Sequence, residues 1–393
     1  MSYIGSKPAD AVLETDDITD GVITTSKLAD NSVTTAKTSY QDAPFRNIII
    51  NGSMDIAQRG TSATGLGNND SGYHTVDRFK FVENNAPTCE FTQTQSTDVP
   101  SGQGFAKSLK MDCTTAQTSL AGDDFIYMAT NIEGQNLQYL KKGTSSAESL
   151  TLSFWVKSNK TGTYIFEIID RDNSRAISKS YTISSASTWE KKTITLDGDT
   201  TGTLDNDNGQ SFEVIFWLLA GANFQSGTLQ TSWGSRTTTN DAVGQVNLAD
   251  STSNEWYITG VQLEAGEVAS DFEFLPHDVN LQRCQRYYHE QGRTTTGNNY
   301  EGFCTITAYS GTASRGIFYL PTTMRSIPSF SSNGNFALVG GSAGSVTNIT
   351  LADGGGNPAV SLNITASGMT AGDGFQLRSD NDADAFLAFD AEL

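Results

Sequence analysis

The chain has 393 residues and a net charge of −19, from 25 basic and 44 acidic side chains. That balance leaves no cationic footprint for releasing counterions from nucleic acid, and it opposes adhesion to an anionic membrane surface. No run of 18 apolar residues marks a membrane-spanning helix, and Met1 to Lys37 hold no apolar core of signal-peptide length, so neither membrane insertion nor a leader is expected.

Glycines number 37 against 8 prolines, and Ser, Thr, Asn and Asp cluster between short apolar runs. This is the texture of many strands joined by tight turns. The expected class is all-β: a short extended N-terminal segment, a large jelly-roll β-sandwich and a smaller C-terminal β-sandwich. The four cysteines, at 89, 113, 284 and 304, lack metal-ligand spacing. Cys89 and Cys113 could face one another on neighbouring strands; buried free thiols suit assembly in a reducing compartment.

Residues 1–40 contain a ten-residue repeat. Asp20-Gly21-Val22-Ile23-Thr24-Thr25-Ser26-Lys27 matches Asp30-Asn31-Ser32-Val33-Thr34-Thr35-Ala36-Lys37. Ile18, Ile23, Leu28 and Val33 form a sparse apolar line at five-residue steps. One chain cannot bury such a line, whereas several copies wound round an axis can; a disordered linker is the alternative. Next, Phe45-Arg46-Asn47-Ile48-Ile49-Ile50-Asn51-Gly52-Ser53-Met54-Asp55-Ile56-Ala57-Gln58-Arg59-Gly60-Thr61 reads as a buried strand, a tight Asn51-Gly52 turn and a second strand.

Residues 41–275 read as one sandwich. Leu150–Ser158 and Lys191–Leu196 alternate as half-buried strands, and Tyr164–Asp170 follows a turn at Gly162. Phe212–Leu219 is nearly continuous apolar and therefore central, and Trp256–Glu264 closes the domain. Residues 276–393 read as a smaller β-domain entered through a short helix or bridging turn at Leu281–Tyr288. Its strands are expected near Gly302–Tyr309, Gly316–Leu320, Val346–Leu351, Ala359–Ile364 and Phe386–Phe389.

No phosphate loop, G-x-S-x-G elbow or HExxH helix occurs, and no pattern marks a carboxylate pair for glycoside hydrolysis, so no catalytic residue is assigned and no enzyme is expected. The acidic stretches Asp380–Asp384 and Asp205–Gly209 space oxygens as calcium loops do. The first lacks the glycine and glutamate of an EF-hand, and both read as solvated turns; no metal or cofactor is expected. Sugar rings present apolar faces to Trp and Tyr while amides and carboxylates take their hydroxyls. Trp155, Trp217 and Trp256 sit inside strand patterns and read as core. Trp233 in a polar glycine-rich loop, Tyr73 and His74 in a loop, and Tyr300 and Tyr309 in the C-terminal domain are the candidate glycan contacts.

Phe45–Thr61 resembles the R-N-x-x-I-N-G-x-x-x-I-x-Q-R-G-T opening of a β-sandwich domain common in bacteriophage tail fibres and tail-associated proteins. Ile132-Glu133-Gly134-Gln135, Ser153–Ser158 and Gly260–Gly266 resemble its later motifs, in order. Asp77-Arg78-Phe79 stands where related sequences carry Asp-Arg-Trp. Leu281–Tyr288 resembles the joint that follows such sandwiches, and Phe318–Pro328 resembles the F-x-x-P-x-x-M-R-x-x-P segment beyond it. The repeat and the opening Tyr3-Ile4-Gly5-Ser6-Lys7-Pro8 are similar to phage fibre N-termini. The resemblance implies a carbohydrate-binding-module-like architecture and a homotrimer made in the host cytoplasm and carried in the virion tail. Tyr3, Ile4, Ile18, Ile23, Leu28 and Val33 would then anchor it to other tail proteins, and the rest would meet a host surface glycan or protein by multivalent, non-catalytic adhesion. Two other classes stay open: a structural tail, neck or capsid-decoration protein, and a secreted carbohydrate-binding module or depolymerase.

Overall fold

A computed structural model describes residues 45–84, 88–293, 299–340, 344–352 and 357–393. The expected anchor positions Tyr3, Ile4, Ile18, Ile23, Leu28 and Val33 lie outside the described residues. Residues 45–393 form one compact unit that contains separate hydrophobic cores for its two sandwiches.

The first sandwich uses β1 (Ser62–Leu66), β2 (Gly72–Tyr73), β3 (Lys80–Asn84), β4 (Glu90–Ser96), β5 (Ser108–Thr115), β6 (Phe125–Glu133), β7 (Leu150–Ser158), β8 (Gly162–Asp170), β9 (Arg175–Ile183), β10 (Glu190–Leu196), β11 (Gln210–Ala220), β12 (Gly234–Ser235) and β13 (Glu255–Ala265). They pair antiparallel into two sheets, ordered β1-β4-β5-β13-β7-β10 and β12-β9-β8-β11-β6-β3-β2. Phe154, Phe166, Phe216 and Trp256 fill the space between the sheets, with ring centroids 5.3–6.3 Å apart along the chain of contacts.

The apolar run of β11 has a direct cause. Phe212, Val214 and Phe216 face the main core, while Ile215 and Trp217 face a second cluster on the far side of the same sheet. That outer face is roofed by the segment after β11, whose short helix α1 (Ala222–Gln225) sets Phe224 against Trp217 at 5.6 Å. Edge strand β10 shows the opposite pattern: Ile194 and Leu196 point inward, and Lys191, Thr193 and Thr195 point to solvent.

Helix α2 (His277–Gln285) leads into the second sandwich. Its strands are β14 (Tyr288–Gly292), β15 (Gly302–Ala308), β16 (Ala313–Tyr319), β17 (Ser329–Asn333), β18 (Phe336–Val339), β19 (Val346–Leu351), β20 (Ala359–Ala366), β21 (Gly374–Ser379) and β22 (Phe386–Asp390). A three-stranded sheet, β14-β22-β17, packs against a six-stranded one, β18-β21-β15-β16-β20-β19.

One local expectation is corrected. Residues 45–61 form no ladder strands. Two asparagine side chains take the hydrogen bonds that a ladder would supply. Asn47 Oδ1 accepts from the Ile49 and Leu263 amides at 3.0 and 3.1 Å, and its Nδ2 donates to the Val261 carbonyl at 3.1 Å. Asn51, at φ 61°, accepts from the Ile56 amide at 3.0 Å and donates to the Ile56 and Asp77 carbonyls at 2.9 and 3.0 Å. Gly52 is required for closeness: a Cβ there would sit 2.0 Å from the Val261 carbonyl oxygen.

Candidate functional site

The 45–61, 77–79, 132–135 and 281–288 motifs meet in one place, the joint between the sandwiches. Glu133, at the end of β6, is buried and accepts a two-pronged hydrogen bond from Arg286 Nε and Nη2 at 2.8 and 2.7 Å. The Tyr287 hydroxyl donates to the same carboxylate at 2.5 Å. Burial opposes its ionisation, but the guanidinium and hydroxyl outweigh burial and hold Glu133 below the usual carboxylate range. Arg78 is 1% exposed, with φ 73°. It pairs with Glu392, donates to the Asn131 carbonyl at 2.6 Å and stacks 3.5 Å over the Tyr287 ring. Arg59 lies 3.5 Å over the Tyr288 ring and reaches Asp390 at 3.1 Å. Gln58 ties the Asp77 carboxylate to the Tyr288 carbonyl. The joint is thus a network of charge-assisted contacts, in which Arg59 Nη1 and Arg78 Nε have no hydrogen-bond partner among the described residues.

Beside this joint opens a cleft of about 450 Å³. Its walls are the 45–50 segment, the end of β6 with the turn after it, and α2. Tyr139, 49% exposed, and Phe45 supply aromatic surface, and Asn131, Gln135 and Asn136 supply amides. Arg78, Arg283 and Arg286 supply guanidinium groups, and none of the lining residues is acidic. Arg78 and Arg286 have carboxylate partners, whereas Arg283 forms no ion pair among the described residues. Arg283 Nη2 reaches the Asn47 carbonyl at 3.4 Å, and its buried Nη1 has no hydrogen-bond partner among the described residues. Burial holds this guanidinium below its ordinary value; Glu273, the carboxylate whose field opposes that, has its oxygens on the Phe45 and Asn47 amides at 2.5 and 2.9 Å.

The residues proposed from sequence are scattered. Trp233 is half-buried, stacked on Phe212 at 5.9 Å, with Nε1 donating to the Asp197 carbonyl at 2.9 Å. Tyr73 joins the joint, its hydroxyl donating to the Leu393 carbonyl at 3.2 Å and accepting from Asn131 at 3.3 Å. The half-buried His74 ring meets the Asp70 carbonyl at 2.7 Å. Tyr300 and Tyr309 are exposed on the second sandwich, with the Arg378 guanidinium 4.7 Å over the Tyr300 ring. None of the five lines the cleft. Sequence reasoning missed Tyr139, Asn136 and Arg283. The available signal was that Asn136 and Tyr139 follow the 132–135 motif and that Arg283 lies inside the 281–288 motif.

Other clusters offer less. Glu167 and Asp241 form a carboxyl pair on the roofed face of the first sandwich, with Trp217 Nε1 donating to Glu167 at 3.1 Å. Both are fully buried, and burial, with the Asp241 charge beside it, holds Glu167 well above the usual range. In the 380–384 turn, Asp382 accepts from the Asn335 and Asp384 amides at 2.8 and 2.9 Å. Among the described residues no group of three His, Cys, Asp or Glu side chains could hold a metal, and no helix is long and apolar enough to cross a membrane. All four cysteines are free thiols, and Cys89, Cys113 and Cys284 are buried.

No family model matches the chain, and no curated protein matches it. Among solved structures it is similar to the enzymatically active domain of bacteriophage CBA120 tailspike protein 4: TM-score 0.29, 14% identity, covering 57% of this chain and 22% of that one. The chain therefore spans about a fifth of that tailspike domain. It is also similar to the family 11 carbohydrate-binding module of a Clostridium thermocellum cellulosomal cellulase, at TM-score 0.27 and 12% identity, over 54% of this chain and 98% of the module. A third is TmCBM61, solved with β-1,4-galactotriose: TM-score 0.27, 10% identity, covering 56% of this chain and 99% of that one. The sandwich assignment itself rests on the sheets described above.

Proposed function

We propose that this chain is a virion tail-fibre protein that adheres to a host cell-surface glycan without catalysis, as a homotrimer anchored to other tail proteins through residues 1–40. The ordered motifs from Phe45 to Pro328 support the phage assignment. The cleft carries the binding role: an exposed aromatic ring, amides and guanidinium groups around about 450 Å³ are the chemistry that seats a sugar ring. Each site is small and open to solvent, so adhesion draws its strength from several copies engaging at once. The protein would be made in the host cytoplasm and act from the virion tail.

The test is binding of the full-length chain to host bacteria before and after periodate oxidation of their glycans, beside protease-treated cells. Loss after periodate and retention after protease is the expected result. Retention after periodate would overturn the glycan assignment. A second reading, a tail, neck or capsid-decoration protein, is favoured by one observation: the motifs are spent on the joint and not on an exposed surface. It predicts no binding to either cell preparation.

A further inference from the structure

We infer that the cleft selects a carboxylated sugar, a uronic or sialic acid unit, with Arg283 receiving the carboxylate. This deepens the glycan-binding reading and rests on it.

Three observations carry it. The chain bears a net charge of −19, yet the cleft wall contains three arginines and no Asp or Glu. Carboxylate partners of Arg78 and Arg286 come from outside the cleft, which leaves Arg283 as the one guanidinium of the three without an ion pair. Its Nη1 is buried with no hydrogen-bond partner among the described residues, as Arg78 Nε is, so the missing ion pair is what sets Arg283 apart from the other two. A planar carboxylate matches the guanidinium fork with two parallel hydrogen bonds. A single guanidinium without an ion pair suits the single charge of a carboxylate better than the near-double charge of a phosphate monoester. Tyr139 is the exposed ring on the same wall against which the sugar face would lie.

The test is isothermal titration of the full-length chain with tetragalacturonate, a hyaluronan tetrasaccharide and an α2,8-linked sialyl tetramer. Each is paired with its carboxyl-reduced counterpart. At least one acidic oligosaccharide should bind, with affinity falling at least about tenfold on carboxyl reduction and as salt rises. Arg283→Met should lose the same factor and abolish the preference for the acidic form, and Arg283→Lys should retain part of it. Circular dichroism and thermal unfolding of each variant confirm that the fold is kept. Equal binding of the acidic and reduced forms would overturn this inference and leave the glycan site standing. Binding of neither form of any of the three would also overturn this inference, while the periodate test on host cells decides the glycan reading separately.

Discussion

Arg283, in the last turn of α2, and Arg286, just past its end, stand one turn apart, yet they belong to regions with opposite electrostatics. On the joint side, Arg286, Arg78 and Arg59 each meet a carboxylate and lie against or beside a tyrosine. On the cleft side, Arg283 meets a backbone carbonyl and nothing negative within ion-pair distance. The joint spends its charges on locking two sandwiches together, whereas the cleft holds one in reserve. Within this joint the contrast separates the arginines that hold the two sandwiches together from the one that carries no carboxylate partner.

The same substitution made on both sides gives the sharpest break. Arg78→Met leaves the buried Glu392 carboxylate with Arg59 alone, at 3.4 Å, and should cost about 3 kcal/mol in denaturant unfolding. Arg283→Met removes an unpaired charge and should leave stability within about 0.5 kcal/mol of wild type, or raise it. Equal losses would erase the distinction drawn between the two regions.

Acid should act on the molecule in two steps. His289 packs in the second sandwich beside the stacked rings of Phe318 and Phe389, at 6.1 and 6.3 Å, with a buried Nδ1 that has no partner among the described residues. Burial lowers its pKa to about 4, from an ordinary 6.5. The neutral ring is the native form, so its contribution is complete above pH 6.5 and is lost as pH falls toward 4. A thermal scan from pH 7 to 4.5 should show a loss of about 1–2 kcal/mol that His289→Phe abolishes. Glu133 has a lowered pKa, so the joint's contribution is complete above its ordinary value of 4.5 and fails only at lower pH. Glu133→Gln should flatten that lower limb, read by the same scans extended below pH 4.5. Its effect at neutral pH is the loss of the fork to Arg286.

Much of the fold was legible because strand burial is written in side-chain periodicity. Leu150–Ser158 was bounded from its residues alone, and the run Phe212–Leu219 disclosed a strand buried on both faces. The 45–61 segment was not legible as structure, since nothing in its apolar spacing reveals that Asn47 and Asn51 replace a ladder with side-chain hydrogen bonds. The cleft was harder still. Its wall joins positions 45–50, 130–139 and 283–287, and no local pattern says that Arg286 finds Glu133 while Arg283 finds no carboxylate. Trp233, a single aromatic residue in a polar loop, stacks on Phe212, a contact that its local sequence does not disclose.

The central claim is that ligand enters the cleft beside the joint, and one measurement addresses it directly: binding of glycan purified from the host surface to wild type, Tyr139→Ala and Tyr309→Ala chains in parallel. Tyr139 lines the cleft, and Tyr309 is an exposed ring on the other sandwich. The account predicts a loss of at least about tenfold for Tyr139→Ala and unchanged affinity for Tyr309→Ala. The reverse pattern would contradict it and move the site to the second sandwich.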